Sequence, residues 1–112
     1  MTYDYNHTSL KLNKTEQEAV LSVLPKVIKR LSKIKNPCET DLLEWQMIGA
    51  FFVENKLPIT KDIKNSVLNA TSWLKHEHAS SFIHPHIRRK VLSNFETKLL
   101  KLKTSKSLLI KT

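Results

Sequence analysis

Residues 41–76 read DLLEWQMIGAFFVENKLPITKDIKNSVLNATSWLKH, and the organisation of the chain follows from them. In the first part, Leu42, Leu43, Trp45, Met47, Ile48, Phe51, Phe52 and Val53 cover most of a helical circumference. A helix apolar nearly all round belongs in the middle of a core. Gly49-Ala50 leaves room there for a neighbouring helix to approach closely, and Asn55 to Pro58 closes the element. The next helix begins at Thr60, with Lys61 as its first residue. Ile63, Val67, Ala70 and Leu74 recur at helical spacing and form its buried stripe, with Trp73 at the margin.

Upstream, Thr40 or Asp41 is the expected cap of the apolar helix. Before it, Thr15 and Glu18 have the spacing of a capping box, which predicts a first helix starting near Thr15. Val20, Leu24, Val27, Leu31 and Ile34 line one face of that helix. Pro25 lies inside the pattern, lacks a backbone donor, and predicts a kink or a split. Asn36-Pro37 is the expected end. Downstream, His76 to Ser81 reads as a fraying end or a loop, and Pro85 opens a fourth helix. Its expected buried stripe is Ile87, Val91, Phe95, Leu99 and Leu102.

The fold class expected is therefore all-α: a small bundle of about four helices, with a helix-turn-helix-like pair in the second and third, and short extended termini. Residues 1–13 read as a flexible arm and residues 14–104 as the helical domain. Residues 105–112 form a tail whose run Leu108-Leu109-Ile110 either pairs as a strand with residues 9–12 or packs on the bundle. One glycine and four prolines in 112 residues exclude collagen-like and turn-rich all-β classes.

Cys38 is the only cysteine, so no intramolecular disulfide forms and a reducing compartment is expected. The longest apolar run, Met47 to Val53, is far short of the ~20 residues that span a bilayer. No basic start followed by an apolar run marks a secretory leader. The reading is a cytoplasmic protein without a membrane partner.

Charge is the feature that points to function. Residues 57–112 hold eleven basic and three acidic side chains, whereas residues 1–56 hold eight and seven. An imbalance of this kind concentrates anionic partners near the chain. Three faces carry it. Lys26, Lys29, Arg30 and Lys33 form a stripe opposite the apolar face of the first helix, with no acidic residue among them. Like charges at i, i+4 repel, and a phosphate backbone relieves that repulsion while releasing counterions. On the fourth helix and tail, Arg88, Arg89, Lys90, Lys98 and Lys101, followed by Lys103, Lys106 and Lys111, face only Glu96. Lys90, Asn94, Thr97 and Lys101 share one stripe, a mixture suited to phosphate contacts. On the third helix, Asn65, Asn69, Ser72 and His76 lie on one polar face flanked by Lys61, Lys64 and Lys75. Asparagine bonds bidentately to adenine and serine to several base edges. The second helix of a helix-turn-helix enters the groove, although the usual glycine of the turn is absent here. An ordinary solvated helix face is the plain alternative for each set.

Other chemistry finds little support. His76-Glu77-His78 and His84-Pro85-His86 match no zinc-ligand spacing, so no metal is expected. One glycine excludes a phosphate-cradling loop, no acidic pair stands out as acid and base, and no cofactor is implied. Cys38 as a nucleophile and Trp45 or Trp73 as base-stacking groups are secondary to a small inert thiol and to core packing. The expectation is a non-enzymatic regulator that binds nucleic acid, DNA in preference to RNA. The alternative is a small adaptor or inhibitor whose basic face docks on an acidic protein surface. The apolar second helix also suggests a homodimer, should four helices fail to cover it.

Overall fold

The computed structural model describes residues 12–76 and 85–106, with side chains from residue 89 onward in the second stretch. Four helices make up most of it: α1 (Lys14–Ser32), α2 (Glu39–Glu54), α3 (Lys61–His76) and α4 (Pro85–Leu100). Two short strands, β1 (Ile59–Thr60) and β2 (Thr104–Ser105), pair in parallel, with Ile59 opposite Thr104 and Thr60 opposite Ser105. The all-α bundle expected from the sequence is what forms.

Its centre is α2, which packs on each of the other three helices. Leu42, Trp45, Ile48, Phe51 and Phe52 are buried along it, and the rings of Phe51 and Phe52 meet edge to face with centroids 5.3 Å apart. Burying side chains of this size contributes about 1.5–3 kcal/mol each. Met47 is the large apolar side chain that α2 leaves exposed, so the three neighbours cover nearly all of the helix. Gly49 permits the closest approach. A Cβ atom at that position would stand 2.9 Å from Phe95 Cζ of α4 and closer still to Val67 Cγ1 of α3. The α3 stripe is as the spacing predicts: Ile63, Val67, Ala70 and Leu74 are all buried. Thr71 is buried beside them, its hydroxyl satisfied by donating to the Val67 carbonyl at 2.8 Å.

The helix ends depart from the sequence reading in instructive ways. The first helix starts at a box formed by Asn13 and Glu16, not by Thr15 and Glu18. Asn13 Oδ1 accepts from the Glu16 amide at 2.9 Å, and Glu16 Oε1 accepts from the Asn13 amide at 3.1 Å. The earlier box wins because the residue before it is tied down: the Leu12 amide donates to Asn55 Oδ1 at the end of α2. Gln17 Nε2 in turn donates to the Leu12 carbonyl at 3.0 Å. Pro25 does not split the helix. Its ring lies on the exposed side while Leu24 and Leu31 are buried, and α1 runs through as one element. The helix ends at Ser32 with Lys33 as cap, before the Asn36-Pro37 signal.

Neither Thr40 nor Asp41 caps α2; Cys38 does. Asp41 reaches back from the first turn, and its carboxylate accepts from the Cys38 amide at 3.0 Å and from the thiol at 3.1 Å. These two donors, the amide first, hold the Asp41 carboxyl below the usual carboxylate range, with a smaller contribution from Arg30. At the other end Asn55 Nδ2 donates to the Phe51 carbonyl, and Lys56 adopts φ 52°. That left-handed residue is the turn conformation for which glycine is the usual choice. Thr60 Oγ1 then accepts from the Ile63 amide at 3.3 Å and starts α3 where the sequence put it.

In α4 the fully buried side chains are Leu92 and Leu99, with Val91 and Phe95 only half-buried. The core face is thus turned by one residue from the expected Val91-centred stripe, bringing the Phe95 ring over Gly49. The Ile87 side chain, the suggested strands at residues 9–12 and 108–110, and the His76–Ser81 end beyond residue 76 lie outside the described residues.

A candidate nucleic-acid interface on α3 and α4

On α3 the exposed side chains are Lys61, Asp62, Asn65, Asn69, Ser72, Trp73 and His76. At 100° per residue they occupy one continuous arc of roughly a third of the circumference. The expected polar face is therefore a surface, with two additions. Asp62 puts a carboxylate in the first turn, where it complements the helix dipole. Trp73 is 56% exposed at the edge of the arc, whereas Trp45 is 7% exposed in the core. The expectation of core packing holds for Trp45 and is corrected for Trp73. The buried stripe is already filled by Val67, Ala70 and Leu74, and the indole one residue before Leu74 is carried out of it. An indole left half in water forgoes about 2 kcal/mol of burial at about 25 cal/mol per Å².

On α4 the exposed side chains are Arg89, Lys90, Asn94, Thr97, Lys98 and Leu100, followed at once by Lys101. The stripe Lys90, Asn94, Thr97, Lys101 is thus solvent-facing throughout. Glu96, the carboxylate of this helix, is turned away from it. Glu96 Oε1 accepts from Lys75 Nζ of α3 at 2.7 Å, and both groups are largely shielded from water. Among the described residues, no carboxylate forms an ion pair with Arg89, Lys90, Lys98 or Lys101.

Lys64 has a structural task instead of an exposed one. Its ammonium donates to the carbonyls of Leu100 at 3.1 Å and Leu102 at 3.2 Å. These are orphan acceptors at the C-terminus of α4, where a cation is also favoured by the helix dipole. Lys64 thus serves as a cap for α4 supplied by a neighbouring helix.

The same two lysines reveal how the faces adjoin. Lys64 and Lys75 mark the edge of α3 that meets α4, and Glu96 marks the edge of α4 that meets α3. On α3 the residues next outward from that edge are Lys61 and Ser72. On α4 they are Arg89, Ser93 and Leu100. The polar arc of α3 and the basic arc of α4 therefore meet along one seam.

The first-helix stripe is separate. Lys26, Lys29 and Lys33 are exposed, as expected, but Arg30 is paired with Glu44 of α2 through Nη2 and Oε2. The absence of an acidic partner held along α1 alone and fails in three dimensions. α1 packs on α2. The side chain of Arg88 and the histidines His78, His84 and His86 lie outside the described residues, and of that cluster His76 is seen, exposed on the α3 arc. No group of three metal-ligating side chains occurs among the described residues, and no described helix is long and apolar enough to cross a membrane.

No protein-family model matches the chain, and neither a curated protein nor a solved structure is similar to it at a significant level.

Proposed function

We propose that this protein is a small, non-enzymatic nucleic-acid-binding regulator whose contact surface is the joined face of α3 and α4. In this reading Arg89, Lys90, Lys98 and Lys101 take phosphates, and Lys61 extends the same row across the seam. Asn65, Asn69, Ser72 and His76 supply hydrogen bonds to bases or sugars. The observation that carries it is the removal of Glu96 from the α4 surface by Lys75. Four cations are left along the exposed arc of α4 without an ion-pair partner among the described residues, next to an α3 face that carries Asn65, Asn69 and Ser72. Ordinary solvated faces interleave both signs, because unlike neighbours stabilise and like neighbours repel.

α2 and α3 are joined by a tight turn in which Lys56 is the left-handed residue, and this sets the polar face of α3 outward. Lys26, Lys29 and Lys33 on α1 belong to a second, weaker set, since Arg30 beside them is engaged by Glu44.

The test is a titration of labelled oligonucleotides, single- and double-stranded DNA and RNA, followed by anisotropy at several salt concentrations. Affinity is expected to fall with salt by about 0.7–0.9 in the log–log slope for each phosphate neutralised. Replacing Lys90, Lys98 and Lys101 together with glutamine is expected to flatten that slope by about 2–3. Absence of binding to every oligonucleotide at low salt would overturn the proposal. A protein partner surviving nuclease treatment would then replace nucleic acid as the target of the basic face.

A further inference from the structure

We infer that Trp73 is a stacking platform for an unpaired base, so that the nucleic acid taken by the α3–α4 face is single-stranded. The inference rests on the nucleic-acid reading above and narrows it. Three observations carry it. Trp73 is 56% exposed although the core has a second tryptophan, Trp45, well buried. Its neighbours on the exposed arc are polar: Asn69 one turn before and His76 one turn after. The described side chains of that arc include no other apolar group.

This setting separates two uses of an exposed indole. A tryptophan that anchors a protein partner sits in a packed patch, ringed by further contacts that exclude water. A tryptophan that stacks on a base needs only one free π-face, with hydrogen-bonding groups to reach the edge of the base and cations to hold the adjoining phosphates. Trp73 has the second set of companions. Asn69 and His76 offer donors and acceptors one turn to either side, and Lys61 and Arg89 lie across the polar arc, on its α4 side, for a strand that runs over that face.

The direction along α3 separates single strand from duplex. A recognition helix in a major groove reads bases with its N-terminal residues. The N-terminal turn of α3 carries Asp62, whose exposed carboxylate repels a phosphate-lined groove. Trp73, Ser72 and His76 are all at the opposite end of the helix. A paired base keeps its faces covered by its neighbours in the stack, whereas an unpaired one can lie on the ring.

The experiment uses the full chain with octathymidylate, octauridylate, a DNA duplex of the same length and polyglutamate as probes. Binding is read by anisotropy of the labelled probe and stacking by tryptophan emission. The single strands are expected to bind and to quench emission. The quench should vanish in Trp73→Phe, which leaves Trp45 as the emitter. Trp73→Ala is expected to weaken single-strand binding by roughly 5- to 150-fold, the equivalent of one stacked base. Unchanged thermal unfolding of both variants confirms that the surface alone was altered. Single-strand binding with unchanged emission and undiminished affinity in Trp73→Ala would overturn the inference while leaving the nucleic-acid reading intact. Tighter binding of the duplex, or equal quenching by polyglutamate, would overturn it too. No binding to either strand form would sink the broader reading itself.

Discussion

Gly49→Ala gives the sharpest test of the architecture. Considered as a helix residue alone, the change should stabilise, since alanine is favoured over glycine by about 0.8–1.0 kcal/mol in a helix interior. The structure reverses the sign. The new methyl group would stand 2.9 Å from Phe95 Cζ and closer to Val67 Cγ1, inside normal contact distance on two sides. Val67 is fully buried and β-branched, with one strongly preferred rotamer in a helix, so it has little freedom to turn away. Overpacking of a well-filled core costs typically 1–3 kcal/mol, and with both neighbours affected the upper half of that range applies. Less the helical gain, the net loss is about 1–2 kcal/mol. With a urea m-value of about 2 kcal/mol per M, the unfolding midpoint falls by about 0.5–1 M. Urea titration followed by far-UV circular dichroism measures it. The double variant Gly49→Ala with Val67→Ala should lose less than the two single variants added together, because removing Val67 makes room for the methyl. A midpoint that rises in Gly49→Ala would refute the close crossing of α2 with α3 and α4.

Further consequences can be measured separately. Glu96→Gln leaves Lys75 partly buried without its counter-charge and should cost about 1 kcal/mol in chemical denaturation; it should not weaken oligonucleotide binding, since Glu96 faces the seam. Lys64→Met removes the donor to the Leu100 and Leu102 carbonyls, with an expected loss of about 1 kcal/mol and faster amide exchange at the end of α4. Asp41 has a folded-state pKa held below its unfolded one, so its stabilising share is present above the ordinary carboxylate range and is lost as pH falls through the folded value. Asp41→Asn should therefore flatten the acid side of the melting-temperature profile, and an unchanged profile would show that the Cys38 contacts contribute nothing. Asn55→Ala removes the acceptor of the Leu12 amide, and exchange at Leu12 should rise before that of the α2 amides.

How much of this was legible beforehand depended on the range of the interaction. α3 could be read almost to the residue, because a threonine cap and a four-residue apolar stripe are local signals. The central place of α2 followed from its apolar circumference. The start of α1 could not be placed, because two overlapping boxes compete and Asn55, more than forty residues away, favours the earlier one. Cys38 carries no cap signal in the sequence, because thiols seldom serve as one; here Asp41 makes the position work. The β1–β2 pair is two residues long and carries no periodic signal. In the candidate site, the basic rows were visible as sequence, but which cations remain uncompensated was not. Arg30, Lys64 and Lys75 are each engaged by a group on another helix. Trp73 lies one residue from the buried stripe, and a one-residue rotation separates core from surface.

The short parallel pair also constrains the order of assembly. Ile59, fully buried between α2 and α3, gives its amide to the Lys103 carbonyl beyond the end of α4. The reversal of the chain after α2 is thus completed by a residue that arrives only when two further helices have been laid down. Closing a segment of that length costs chain entropy before any bond repays it. The α2–α3 corner should accordingly be the last place to become rigid during folding, and losing residues 103–105 should loosen it even though every helix remains.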